Sequence, residues 1–122
     1  MKDDPNSKRL AAEVDASISL MKNTLYHDFD HLMECARSGT VVSQHDRARY
    51  RYNTSTAADR CVGLSAAMIK AAGSSGIRTN SPLLRQHLDI FASQAHIANV
   101  SEPFAVNLGG MLFGQDSTDL SL

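Results

Sequence analysis

The sequence predicts an all-α protein, an up-and-down four-helix bundle. Three observations predict it. Apolar residues recur at spacings of three and four along most of the 122 residues. Gly and Ser-Pro punctuation divides the chain into four segments. None of the four shows the apolar–polar alternation of a half-buried strand.

The first segment runs from about Ser7 to Arg37. Leu10, Val14, Ile18, Met21, Leu25, Phe29, Leu32 and Ala36 lay one apolar stripe along a helix. About thirty residues at 1.5 Å each make a rod of roughly 45 Å. Ser38-Gly39 supplies its stop, with the glycine as C-terminal cap. The second segment runs from about Ser43 to Ala72. Its first turns are polar, with Gln44, His45, Asp46, Arg47, Arg49 and Arg51. Ala57, Cys61, Leu64, Met68 and Ala72 then take up helical spacing until Gly73 breaks the helix.

The third segment opens at Ser81-Pro82, serine as N-cap and proline at the first helical position, and is expected to reach about Ala98. The fourth opens with the same signal at Ser101-Glu102-Pro103 and runs to about Phe113, where Gly114 ends it. The domain is therefore read as residues 9–114, with a polar lead over 1–8 and a loose polar tail over 115–122. Rods this long on so short a chain leave side surface that partner chains or further domains are expected to cover.

Composition excludes several classes. The formal charge is −1, so no basic footprint for nucleic acid exists. Two cysteines, Cys35 and Cys61, make neither a zinc pattern nor a disulfide framework, and they read as buried thiols. No run approaches transmembrane length and the first residues are polar, so a cytoplasmic protein without a membrane partner is expected.

The third helix carries the chemistry-bearing residues. With Arg85 as the zero of the wheel, Asp89 falls near 40° and His96 near 20° at about 100° per residue. The three make a polar stripe, with Leu84, Leu88, Phe91 and Ala95 as the core stripe beside it. A solvated face with an i,i+4 Arg–Asp pair is the plain reading of that spacing. A histidine at the end of such a stripe can hold or pass a proton near neutral pH.

Ala71-Ala-Gly-Ser-Ser-Gly-Ile, followed by Ser81-Pro-Leu-Leu-Arg-Gln-His-Leu-Asp-Ile and Ala95-His96, resembles the C-terminal domain of the acyl-CoA dehydrogenase-like, flavin-dependent monooxygenases. In that family a small-residue loop ends a long helix. A Pro-Leu-x-Arg-x-x-Arg-Asp helix follows, with a histidine seven residues after the aspartate. Pro82, Leu83, Arg85, Asp89 and His96 match, whereas Leu88 stands where the family has its second arginine. The similarity spans about Leu10 to Gly114.

The resemblance implies an oxidoreductase that hydroxylates a phenol or related aromatic substrate through a C4a-hydroperoxyflavin. It implies reduced FMN or FAD supplied by a separate flavin reductase, and a homo-oligomer built on the bundle. By the same resemblance His96 is catalytic, Gly73, Ser74 and Ser75 bind the cofactor, and Arg85 and Asp89 are structural orienters. The N-terminal helical domain and central β-domain of such enzymes are not in this sequence, so the chain is expected to be incomplete by itself. A true acyl-CoA dehydrogenase domain is the alternative, though no glutamate base stands in a matching place. A non-catalytic helical oligomerisation module is a third reading.

Other patterns read as structural. His27 and His31 stand at i,i+4 but fall on the solvent side, with no third metal ligand. Arg47-Ala-Arg-Tyr-Arg-Tyr52 reads as a solvated helix face, or as a flavin-phosphate or subunit contact. Gly109-Gly110 reads as a place of close helix packing.

Overall fold

The computed structural model describes residues 3–119. It has four α-helices and two short 3₁₀ turns, and no strand among the described residues. Helix α1 is Pro5–Ser38, α2 is Gln44–Ala72, α3 is Pro82–Ser93 and α4 is Ser101–Leu112. The 3₁₀ turns are Gly73–Ser75 after α2 and Ile97–Asn99 before α4.

Local chemistry sets most helix ends. Asp4 caps α1 by accepting from Ser7 N at 2.8 Å, so the helix starts at Pro5 inside the stretch expected as a polar lead. Residues 1 and 2 of that lead lie outside the described residues. Gly39 closes α1 in the left-handed region at φ 71°, its N–H donating to Cys35 O. Ser43 caps α2 by accepting from Asp46 N at 3.0 Å, and Ser81 caps α3 by accepting from Leu84 N. Gly73 ends α2 at φ 61° and ψ −146°, which an L side chain rarely adopts.

Helix α2 is the hub, packing against α1, α3 and α4. The residues of α1 that lose solvent are Ser7, Leu10, Val14, Ser17, Met21, Leu25, Asp28, His31, Leu32 and Cys35. The buried seam thus advances by 3.5 residues per turn, the spacing of a helix crossing a long partner. It leaves Ile18, Phe29 and Ala36 outside, although all three belong to the apolar stripe expected from sequence. Asp28 takes the place Phe29 was expected to hold. Its partner on α2, Asn53, compensates its burial.

Helix α3 stops at Ser93, five residues short of the expected end. Gln94 N and Ala95 N turn to the carbonyls of Phe91 and Ala92, and His96 is extended at φ −74°, ψ 133°. The face that α3 packs against its neighbours is Leu83, Leu84, His87 and Ile90. Leu88 at 53% exposure and Phe91 at 57% do not belong to the core stripe.

Helix α4 departs from its expected start as well. Val100 is the N-cap position and makes no side-chain cap bond. Ser101 is the first helical residue, and its hydroxyl donates to Asp59 Oδ2 at 2.8 Å instead. The tail over 115–119 is docked rather than loose. Ser117 Oγ and Thr118 N both donate to the buried Asn107 Oδ1, at 3.1 and 2.7 Å. Asp119 pairs with Arg51 at 3.2 Å. Residues 120–122 of the expected tail lie outside the described residues. At Gly110 a Cβ would come within 2.7 Å of Gln115 Oε1, while Gly109 faces open space. The glycine pair makes room for the tail, not for another helix.

Candidate functional site

The seam between α1 and α2 is polar where a bundle is usually apolar. Asp28 is 5% exposed and accepts from Asn53 Nδ2 at 2.9 Å. One turn on, His31 Nδ1 and the Tyr50 hydroxyl are hydrogen-bonded at 2.7 Å, and His31 Nε2 lies 3.5 Å from Cys35 Sγ. Burial pushes the Tyr50 phenol above its ordinary value, and the negative charges of Asp46 and Asp28 add to that.

His31 is therefore an interior partner of α2, not a solvent-side residue. Only His27 of that pair is exposed. Among the described residues no group of three His, Cys, Asp or Glu could hold a metal.

The Arg47–Tyr52 stretch is not a solvated face either. Tyr50 is buried, and Arg51 lies over the Phe104 ring at 4.5 Å while pairing with Asp119. Arg47 Nε is buried without a hydrogen-bond acceptor. Arg49 alone behaves as expected, exposed and paired with Asp46. Asp28, Phe29, Leu32, Arg47, Tyr50 and Thr54 line a cleft of about 400 Å³, and Ala98 forms part of its wall. A second cleft of about 370 Å³ is apolar, lined by Leu10, Val14, Ile18, Met68 and Leu83 among others.

The six residues singled out from sequence are distributed over three neighbouring segments. Gly73, Ser74 and Ser75 form the 3₁₀ turn after α2 and are all exposed. Ser75 Oγ donates back to Ala72 O at 2.7 Å. A Cβ on Gly73 would meet nothing within 4 Å, so the turn is an open wall; the neighbouring Gly76 is the crowded one, with Ile69 O at 2.9 Å.

Arg85 and Asp89 are exposed on α3, and no ion pair joins them. His96 is not on α3 at all. It sits on the turn between α3 and α4, so helical periodicity does not align it with Arg85 and Asp89. No hydrogen bond joins any two of these six residues.

His96 is exposed, and its ring is nonetheless oriented. Its Nδ1 accepts from Ala98 N at 3.2 Å, and its carbonyl accepts from Asn99 N at 2.8 Å. His87, the other α3 histidine, is half-buried against Ser65 Oγ at 2.8 Å. The Ser65 hydroxyl also lies 3.0 Å from Val62 O, so His87 and Val62 share it. Sequence reasoning missed Asn53, Asp59, Ser65 and Tyr50. Asp59 carries a faint signal, as the one acid between Ala57 and Cys61 of the second apolar stripe.

The chain superimposes closely on two solved enzymes. One is the HsaA monooxygenase from M. tuberculosis, 25% identical, with a TM-score of 0.90 over 99% of this chain and 32% of that one. The other is the 3-HSA hydroxylase from Rhodococcus sp. RHA1, 26% identical, with a TM-score of 0.91 over 99% of this chain and 31% of that one. The chain spans about a third of the length of these structures. No curated protein sequence matches it significantly. Among the described residues no helix is long and apolar enough to cross a membrane. The model of the acyl-CoA dehydrogenase C-terminal domain matches residues 1–101, and with the all-helical architecture it establishes that the chain belongs to the acyl-CoA dehydrogenase C-terminal domain family.

Proposed function

We propose that the chain is the C-terminal helical part of a flavin-dependent monooxygenase that hydroxylates an aromatic or related substrate. The likeness of almost the entire chain to a monooxygenase and a hydroxylase carries this reading. Two thirds of each of those enzymes has no counterpart here, so the remaining walls of the reaction site come from elsewhere. Reduced FMN or FAD, delivered by a separate flavin reductase, would supply the activated oxygen.

Gly73, Ser74 and Ser75 fit one wall of the cofactor site. They are exposed, and the space over Gly73 is open to an incoming ring or polar edge. His96 acts on the substrate oxygen as general base or orienter. Its exposure and its held ring support that role. Its turn also supplies Ala98 to the 400 Å³ cleft, which combines apolar walls with Arg47, Tyr50 and Thr54. Arg85 and Asp89 orient whatever covers the outer face of α3. Homo-oligomerisation or docking of the complementary regions would cover the exposed Leu88, Phe91, Val106, Leu112 and Phe113. The work of such an enzyme needs no membrane and no nucleic acid, and a cytoplasmic setting suits it.

The family name keeps acyl-CoA dehydrogenation as the second reading. The test is an enzyme reconstituted by supplying the remaining regions in trans or by fusion, with a reductase and reduced flavin. His96→Ala is expected to lower hydroxylation by about 10²- to 10⁴-fold with helical content intact. Gln86→Ala, exposed on α3, is the silent control. Unchanged turnover in His96→Ala removes the assignment, and oxidation of an acyl thioester in place of hydroxylation selects the second reading.

A further inference from the structure

We infer that Asp59 is a positioning residue for His96, and that it holds the imidazole in the tautomer that presents Nε2–H. The inference rests on the reading of His96 as the imidazole of the reaction site. Asp59 stands on α2, and its two carboxylate oxygens reach to opposite sides of His96 in the chain. Oδ1 accepts from Gln94 Nε2 at 2.5 Å and Oδ2 accepts from Ser101 Oγ at 2.8 Å. Gln94 follows the last residue of α3, and Ser101 is the first residue of α4. One carboxylate on a long, continuous helix therefore fixes both ends of the connection 95–100.

Inside that connection the bonds converge on His96. Asn99 Nδ2 donates to Ser93 O at 2.8 Å, and Asn99 N donates to His96 O at 2.8 Å. These close the turn and bring Ala98 N to His96 Nδ1 at 3.2 Å. A backbone N–H can only donate, so Nδ1 must offer its lone pair. The proton of the neutral ring is then on Nε2. On an exposed side chain that leaves Nε2–H as the group that meets a ligand. The neutral ring meets an oxygen as a donor, which selects the orienting role of His96 over the general-base role.

The serine at the start of α4 shows what the arrangement costs. A serine beside a helix start ordinarily accepts from backbone N–H groups of the first turn. Here α4 has no side-chain cap, and the Ser101 hydroxyl is turned to Asp59. A local rule given up for a long-range contact marks a place where geometry is held for a purpose. Asp59 is itself exposed, so its bonds compete with water and add little to stability. Their effect is to choose the path of the turn.

The experiment uses the ¹⁵N-labelled 122-residue chain at about pH 8, above the ordinary imidazole range. Long-range ¹H–¹⁵N spectra are expected to show His96 as the Nε2–H tautomer. Asp59→Ala should replace that signature with averaged nitrogen shifts and speed Ala98 amide exchange about tenfold, with unchanged helical circular dichroism. Asp59→Asn keeps an acceptor for Gln94 and a polar atom for Ser101, and should restore both signals. If Asp59→Ala loses helicity, Ser101→Ala removes one anchor and carries the same expectation. Unchanged His96 shifts and Ala98 exchange in the folded variant overturn the inference.

In the reconstituted enzyme Asp59→Ala should lower kcat about tenfold to a hundredfold with little change in KM. Full activity there, with His96→Ala inactive, leaves the reaction-site reading standing and removes the positioning role. Full activity of His96→Ala removes the reaction-site reading, while the spectra still decide whether Asp59 orients the ring.

Discussion

Asp28 and Asp59 are both carboxylates that bridge helices, and they do opposite work. Asp28 lies in the α1–α2 seam at 5% exposure and faces Asn53. Asp59 lies on the surface of α2 and gathers Gln94 and Ser101. In the seam, water cannot replace a lost partner, so each hydrogen bond bears on whether the fold forms. On the surface water replaces it readily, so the bond decides where a segment lies and not whether the protein folds. The seam half of the molecule is specified by its interior partners. The α3–α4 half packs on α2 at least as extensively as α1 does, but its bridging carboxylate is at the surface and it keeps an apolar face exposed, Phe113 at 90% among it.

The largest effect expected of that contrast is in the seam. Asn53→Leu leaves the buried Asp28 Oδ2 without its donor, with only the exposed His27 ring still against Oδ1, and should destabilise the chain by about 2–3 kcal/mol. Asp59→Ala should stay within about 0.5 kcal/mol. Urea unfolding at constant slope measures both, and equal losses would erase the distinction between the two halves.

Tyr50→Phe comes next, at about 1 kcal/mol for the lost bond to His31. It also has a pH signature. The Tyr50 phenol is raised above 10.0 in the folded state, first by burial. Its contribution is therefore fully present below the unfolded value and is lost as pH rises from about 10 through the folded value. The wild-type denaturation midpoint should fall over that alkaline window, and the fall should be shallower in Tyr50→Phe. An identical decline in the two proteins would place the phenol outside the seam.

His87→Ala should cost about 1 kcal/mol by removing the hydrogen-bond partner of Ser65, which lies buried at the α2–α3 contact. A neutral result in thermal melts would mean that α3 is held by its apolar face alone. The smallest effect is expected at Gly110→Ala. The methyl displaces only the end of the Gln115 side chain, and the gain of roughly 0.5–1 kcal/mol in helix propensity offsets that shift. A loss above about 1 kcal/mol would show that the docked tail contributes to stability more than its short polar contacts imply.

The sequence by itself determined the helices and most of their ends. Gly39, Gly73, Ser43 and Ser81-Pro82 act on backbone groups within four residues, so their effect is legible in the string of letters. The family motif was legible for the same reason, since Pro82, Leu83, Arg85 and Asp89 lie on one continuous helix. Only the tertiary structure decided that Asp28 and His31 are interior and Phe29 is not, because Asn53 and Tyr50 stand 25 and 19 positions away. It decided that His87 is a packing residue through Ser65, 22 positions away. It also moved His96 off α3 onto a turn whose ends Asp59 gathers across separations of 35 and 42. Helical periodicity extrapolates a straight helix until a local stop appears. Here no Gly or Pro stands between Ser93 and His96, and the end of α3 is closed instead by Asn99 on Ser93 O and by Gln94 on Asp59.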